Sequence, residues 1–493
     1  MYLKDLLSAS EIVGKCTDVY FDGISRDPEN CEGTALFLLK GNSYDESAFI
    51  DKASRNGAKL IVCDYLPSQS NVNCVLVKNA RRAYSYAWAA LAGNPQEDMR
   101  IYGITGTNGK TSTSYFVHRM LDYCGIKNVL IGTNGIIYEG EKIPFPPETA
   151  NISQMTTPDP EILFPLLKEL REKGIFHAVM EVSSHSLALN KVDPIHFEAG
   201  LFTNFSSEHL DFHKSVENYL GAKLRLTELS EKIIYNSDDS VLFDCFKAKT
   251  AISYGTVSGN YRACCIRNLG INGVSYLLKH NDDVIRIESP ICGSFTVSNS
   301  LAAAAIAIEA GVHPETVCDA IASLGGIPGR LEAVKLDKTK HPFSVFIDYA
   351  QTPEALKKLL LSNVFKERKG RLITLFGCGG DRDKSKRALM GEIASEYSDF
   401  VYVTSDNPRN ENPNAIIMDI LSGMKDFGNY KILPNREEAI VSAFNECERD
   451  DILLLVGKGH EDYIVDKRGR RRFSEKEIVL KAADGTYKKG CIQ

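Results

Sequence analysis

At 493 residues the chain is long enough for about three domains, and its 43% hydrophobic and 25% charged content is that of a globular protein. A formal net charge of −6 argues against a nucleic-acid binder, which needs a basic face. No apolar run reaches membrane-spanning length, and the first residues lack a signal-peptide core, so a cytoplasmic protein without membrane insertion is expected. The 13 cysteines show no metal-ligand spacing and no CxxC pair, so free thiols acting as small apolar residues are expected.

In chain order, apolar runs at 34–38 (TALFL), 59–63 (KLIVC) and 74–77 (CVLV) predict short strands with helices between them. Asn94-Pro95 then marks a turn before a polar linker. Ser25-Arg26, beside a turn-rich stretch, could hold a diphosphate or a uracil, and could equally be plain surface.

An apolar run at 101–104 leads into Thr105-Gly106-Thr107-Asn108-Gly109-Lys110-Thr111-Ser112 and then an amphipathic helical pattern. Strand, glycine loop and helix form the setting of a phosphate-binding loop. Backbone N–H groups and the helix start face the anion, Lys110 can reach the outer phosphates, and Thr111 can offer a hydroxyl to Mg²⁺. The full G-x-x-x-x-G-K-[ST] spacing is not met, because Ile104 stands where the first glycine would be. Further buried strands are expected at 128–132, 177–182, 198–203 and 232–235, the last closing the series, with a polar, proline-bearing loop ahead of Thr156-Thr157-Pro158. Apolar strands alternating with helices predict an α/β fold with a parallel sheet covered on both faces. In such sheets ligands sit at strand carboxyl ends, where the glycine loop, Glu181 and His209 all fall. A carboxylate at the end of a buried strand needs a partner: for Glu181 that could be Mg²⁺ or a neighbouring lysine. His209, between acidic residues, could ligate a second metal ion or be a surface residue. Lys223 reads as an ordinary helix lysine, and the residues alone assign it no role.

Residues 262–291 alternate apolar and polar, which predicts an antiparallel addition, and 298–310 predicts an Ala-rich helix. From about Ala333 the α/β rhythm resumes, with strands expected at 344–347, 371–376, 400–404 and 452–456. Each ends in a polar or glycine motif, which predicts a second binding surface. The Arg470-Arg471-Arg472 run reads as solvated surface.

The string TGTNGKTS, TTPDP, MEVSSHSL, NFSSEHLDFH, YLGAKLRL, PGRLE, DYAQTPEAL, GCGGDRDKSKRALM, SDNPR and GKGHEDY, in this order across essentially the whole chain, resembles the Mur ligases, and most of all the members that add the third residue of the peptidoglycan stem peptide. The resemblance implies a three-domain architecture: a UDP-sugar-binding domain at 1–97, a central ATP-binding P-loop domain at 98–332, and a C-terminal Rossmann-like amino-acid-binding domain at 333–493. It implies ATP and Mg²⁺ as cofactors. The implied reaction joins meso-diaminopimelate to UDP-N-acetylmuramoyl-L-alanyl-D-glutamate through an acyl phosphate. It carries Lys110, Glu181, His209 and Lys223 over as catalytic, the last as a CO₂-derived carbamate, with Thr111, Glu181, His209 and Lys223 around metal. ATP contacts carry over to Gly106–Ser112 (Gly106, Thr107, Asn108, Gly109, Lys110, Thr111, Ser112), Asn299, Arg330 and Asp348, and acceptor contacts to Ser25, Thr156, Thr157, Ser183, Leu189 and Lys191. Amino-acid contacts carry over to Arg382, Asp406, Asn407, Pro408, Arg409, Gly457 and Glu461. DNPR is the form associated with diaminopimelate, whose distal carboxylate suits a bidentate guanidinium; lysine would leave Arg409 unpaired. Departures from the family pattern are Leu189 and Lys191 on the acceptor surface, Gln351 for a usual His, and Thr296 for a frequent Asn. Two other functions are weighed: the same chemistry on another acceptor or amino acid, L-lysine included, and a catalytically silent nucleotide-sugar-binding protein, against which the intact catalytic set argues. A monomer is expected.

Overall fold

The structure, a computed structural model, describes residues 1–13, 18–39, 46–65, 72–143, 155–293, 295–424 and 428–487. The proline-bearing loop expected before Thr156 falls largely outside them, at 144–154. The chain forms two compact units, one of residues 1–261 with 302–313 and one of 262–301 with 314–493.

The first unit contains two sheets. The smaller orders its strands Ile12–Val13, Asn73–Val77, Leu60–Cys63, Ala35–Phe37 and Ile24–Ser25, parallel throughout except for the antiparallel first pair. Helix Ala80–Leu91 packs its alanine-rich face and Tyr84 into this core, and Asn79 caps its start by accepting from Arg82 N–H. The larger sheet runs Ile252–Gly255, Ser230–Asn236, Phe197–Phe202, Arg100–Thr105, His177–Glu181, Asn128–Gly132, Gly135–Tyr138, Glu141–Ile143. Its first six strands are parallel, and the last two form antiparallel hairpin pairs. Two expectations change here. Strand 230–236 does not close the parallel series, because Ile252–Gly255 pairs beyond it, and the hairpin after Gly132 has too little apolar alternation (GIIY, EKI) to stand out in sequence.

Asn128–Gly132 is buried at every position, and His177–Glu181 at all but His177. Continuous burial is the signature of strands covered on both faces. Arg100–Thr105 is central: the chain runs from it to Asn128–Gly132 on one side, fills the gap with His177–Glu181, and then crosses to Phe197–Phe202 on the other. That reversal opens a crevice at the carboxyl ends of these strands, where Gly106, Thr133, Val182 and Thr203 begin the loops.

The second unit is built on a sheet ordered Glu332–Ala333, Ser344–Asp348, Ile452–Val456, Leu372–Phe376, Phe400–Val403 and Tyr430–Ile432, parallel except for its first strand. Leu372–Phe376 and Ile452–Val456 are wholly buried, at about 1.5–3 kcal/mol for each aliphatic side chain removed from water. A separate hairpin, Tyr463–Asp466 with Gly469–Arg472, follows; its second strand is exposed, so the arginine run is solvated as expected. The antiparallel pair Val274–His280 and Asp283–Ser289 is also as expected, as is a helix at Phe295–Glu309. The short strand Tyr430–Ile432 lacks a buried face, with burial only intermediate at Lys431, and so carries no apolar signal. Among the described residues no helix is long and apolar enough to cross a membrane.

Candidate active site

Strand Arg100–Thr105 delivers the glycine loop and helix Lys110–Tyr123 follows it. Gly106 has φ +146, and a Cβ there would lie 1.8 Å from Thr203 Oγ1; Gly109, at φ +84, is the N-cap and provides no side-chain cap. The first turn therefore presents backbone N–H groups with no side-chain acceptor, which is what an anion at a helix start requires. The loop is held from the neighbouring strand end. Asn108 N–H donates to Asn204 Oδ1 (2.9 Å), Thr203 Oγ1 and Asn204 Nδ2 donate to Asn108 O (2.6 and 2.9 Å), and Thr107 N–H donates to Asn204 O (2.9 Å). Lys110 Nζ folds back onto the carbonyls of Gly106 and Thr107, at 2.9 and 3.0 Å.

Glu181, 1% exposed, accepts from two threonines. Thr111 Oγ1 and Thr133 Oγ1 each donate to Oε2 at 3.0 Å, and Thr133 N–H donates to Oε1 at 2.9 Å. A hydroxyl and a carboxylate meeting beside a phosphate loop are hard oxygen donors of the kind Mg²⁺ takes, so these residues fit that ion. Among the described residues no group of three or more His, Cys, Asp or Glu is arranged to hold a metal by itself. Gly132 lies directly against this carboxylate: a Cβ there would be 2.2 Å from Oε1.

Lys223, on helix Val216–Leu224, is 3% exposed. Its Nζ donates to Gly106 O at 2.8 Å, the carbonyl that Lys110 also contacts, and sits 4.6 Å from the centre of the Tyr219 ring. Burial, and then the neighbouring Lys110, push its ammonium down to about 6, with Glu208 pulling the other way. His209 has a left-handed backbone (φ +55), and its ring stands edge-on to His185 (5.1 Å) and to Tyr219 (6.1 Å). Lys110 and Lys223 thus meet at Gly106 O, Thr111 at the start of the same helix as Lys110 meets Glu181, and His209 is reached through Tyr219.

The residues expected on the acceptor side occupy the same unit. Thr157 Oγ1 donates to Glu181 O (2.9 Å) and accepts from Ser183 N–H (3.0 Å), and Ser183 caps helix Ser184–Ala188. Thr156 Oγ1 and Thr133 Oγ1 lie 3.1 Å apart. Arg26, Arg81, Tyr84, Asp159, Leu189 and Lys191 line one cleft. There Lys191 Nζ and Arg26 Nη2 flank Asp159, at 2.5 and 2.9 Å, and Arg26 also reaches Glu161 at 2.6 Å. Ser25 Oγ accepts from Asp27 N–H at 3.0 Å in a local turn.

In the second unit, Asp348 accepts from Leu331 N–H (2.8 Å) and Ala350 N–H (2.9 Å). Burial raises its carboxyl above the usual range against the pull of Arg330, whose guanidinium lies 5.2 Å from the centre of the Tyr349 ring. Asn299 is buried on helix Phe295–Glu309. At the ends of the neighbouring strands, Asn407 Nδ2 donates to Glu461 Oε2 (2.8 Å). Gly457, at φ +111, lies where a Cβ would be 2.9 Å from Asp406 Oδ2. Arg409 has φ +50; its N–H donates to Val465 O at 3.0 Å and Nη1 to Gly380 O at 2.7 Å. Pro408 packs its carbonyl against Gly380, and Arg382 is close enough to Tyr349 to act on its phenol. Gln351 donates from Nε2 to Gly457 O at 2.8 Å, tying the Asp348 loop to the Gly457 loop.

Sequence reasoning missed Thr133, whose one signal is its place directly after a buried strand, and Lys458, wholly buried among Asp406, Asn407 and Glu461. It also missed Asp159, the acid of TTPDP that Lys191 and Arg26 share.

Two family descriptions match the chain, Mur ligase middle domain over residues 104–307 and Mur ligase glutamate ligase domain over 329–459. The chain is 39% identical to UDP-N-acetylmuramoyl-L-alanyl-D-glutamate--2,6-diaminopimelate ligase 1 of Clostridium acetobutylicum, over 97% of this chain and 98% of that protein. A solved structure of a UDP-N-acetylmuramoyl-L-alanyl-D-glutamate--2,6-diaminopimelate ligase superposes with TM-score 0.68 at 27% identity, covering 99% of this chain and 100% of that one. The MurF ligase of Thermotoga maritima in complex with ADP shares the fold at TM-score 0.55 and 16% identity, over 95% of this chain and 98% of that one. The chain belongs to the Mur ligase family.

Proposed function

We propose that the protein is an ATP-dependent amide ligase that joins meso-diaminopimelate to UDP-N-acetylmuramoyl-L-alanyl-D-glutamate, a step of peptidoglycan precursor synthesis. The observation that carries the reading is full-length similarity to ligases of that name, in a chain that presents Arg409, Asn407 and Glu461 together. A guanidinium for a carboxylate and a carboxylate for an ammonium suit the distal zwitterion of diaminopimelate. Three functional segments are proposed, at 1–97, 98–332 and 333–493; the matched family regions, 104–307 and 329–459, support the last two. The working species is taken as a cytoplasmic monomer.

The chemistry runs as follows. The acceptor carboxylate takes the γ-phosphoryl group of ATP, giving an acyl phosphate and ADP. An amino group of diaminopimelate attacks the acyl carbon, and the tetrahedral intermediate expels phosphate as the amide forms. Bringing carboxylate and triphosphate together sets anion against anion, so cations and aligned N–H groups lower the barrier. The turn Gly106–Ser112 supplies backbone N–H groups, and Lys110 swings from the Gly106 carbonyl to the outer phosphates. Mg²⁺, held by Thr111 and Glu181, would neutralise phosphate charge. Lys223, with its ammonium depressed to about 6, presents a neutral amine at pH 7, the form that reacts with CO₂. The resulting carbamate, with His209, is the proposed second metal-binding pair. Thr156, Thr157, Ser183, Leu189 and Lys191, with Ser25, form the proposed acceptor surface; Asn299, Arg330 and Asp348 complete the proposed ATP contacts.

Phosphate release measured across a panel of amino acids tests the reading. Release is expected only with ATP, the UDP-linked dipeptide and meso-diaminopimelate together. No turnover with that set, but turnover with another acceptor or amino acid, would overturn it.

A further inference from the structure

Lys458 has no exposed surface. An ammonium removed from water is costly unless charge and hydrogen bonds compensate it. Here its Nζ donates to Asn407 Oδ1 at 2.8 Å and to Glu461 Oε2 at 3.0 Å, lies 3.8 Å from Asp406 Oδ1, and is 5.6 Å from the centre of the Tyr463 ring. The other buried ion pair close by, Arg436 with Glu475, is internally balanced, and it donates to Ser405 O and Val456 O at the roots of the same two loops.

Two consequences follow. First, Asn407 is oriented. Its Oδ1 accepts from both Lys458 Nζ and Val465 N–H (2.9 Å), so its amide nitrogen must face Glu461 Oε2. Glu461 Oε2 thereby receives two donors, which fixes the carboxylate. Second, the ammonium sits between two carboxylates, hydrogen-bonded to Glu461 and 3.8 Å from Asp406. A carboxylate fixed in a largely buried site favours a ligand bearing a cationic amine.

Resting on the function proposed above, we propose that Lys458 is the positioning residue of the amino-acid site, which holds Asn407 and Glu461 in the one orientation that receives the amine of the incoming diamino acid. It does not touch the reacting atoms. It selects by geometry, while Arg409 reads the carboxylate.

Steady-state kinetics of Lys458→Met and Lys458→Arg test this, with amino acid, ATP and acceptor varied separately. Lys458→Met is expected to raise KM for meso-diaminopimelate about 100-fold, the loss of bonds to charged groups, with kcat within about 3-fold and the KM values for ATP and acceptor unchanged. Lys458→Arg keeps the buried charge, but its fork cannot serve Asn407 and Glu461 from one point; about a 10-fold rise is expected. A charge-balancing role alone predicts that Lys458→Arg equals wild type, and that result, or a fall in kcat at unchanged KM, overturns the proposal. If Lys458→Met does not fold, Lys458→Arg decides. Wild-type protein inactive with meso-diaminopimelate would instead overturn the function reading; the same comparison is then made with the amino acid the panel selects.

Discussion

Replacing Lys223 by methionine should stabilise the first unit, by an amount that falls as pH rises. The folded ammonium sits at about 6 against the ordinary 10.5, because burial and Lys110 both disfavour its charge. Between those values the unfolded chain binds a proton that the folded chain does not, so stability rises with pH across the window. The penalty is complete below about pH 6 and absent above about 10.5. At about 1.36 kcal/mol per unit, it amounts to about 5 kcal/mol at pH 7 and about 2 kcal/mol at pH 9. Loss of the hydrogen bond to Gly106 O returns about 1 kcal/mol. Lys223→Met should therefore gain about 4 kcal/mol at pH 7 and about 1 kcal/mol at pH 9 while losing all turnover. The assay is thermal and urea unfolding of both proteins, in metal-free buffer stripped of CO₂, at the two pH values. A gain of equal size at both, or a variant less stable than wild type at pH 7, would refute the reasoning.

Three further outcomes can be checked. Gly132→Ala places a methyl 2.2 Å from Glu181 Oε1 and should displace that carboxylate; turnover should fall at least about 100-fold, and ADP titrations should lose the gain in affinity that Mg²⁺ gives wild type. Arg409→Ala should raise KM for meso-diaminopimelate about 10- to 100-fold with little change in kcat. Lysine outcompeting diaminopimelate on wild type would contradict the role given to Arg409. Although burial works against it, Lys191 and then Arg26 hold the Asp159 carboxyl below its ordinary 3.8. The stability this gives is present above that value and lost as pH falls through the depressed one. Lys191→Met should move acid unfolding of the first unit toward pH 4 and raise KM for the acceptor, whereas an unchanged acid midpoint would exclude the pairing.

Chemistry that is local in the chain was legible from the residues. Gly106, Gly109, Lys110 and Thr111 are close neighbours, so strand, turn and helix carry their own instructions, and Leu372–Phe376 and Ile452–Val456 announce themselves by unbroken apolar runs. The resemblance of the motifs to the Mur ligases added the roles proposed for Lys223 and Arg409. What the residues could not display was set by contacts between distant segments. The amine of Lys223 is altered because the fold seats it on the same carbonyl as Lys110, and nothing in YLGAKLRL encodes that. Glu181 meets Thr111 and Thr133 because parallel pairing brings three strand ends together. In the sequence Lys458 is one residue of a glycine-rich turn, between Gly457 and Gly459. Only the packing of three loops removes its water, and a buried charge must then organise every polar group around it.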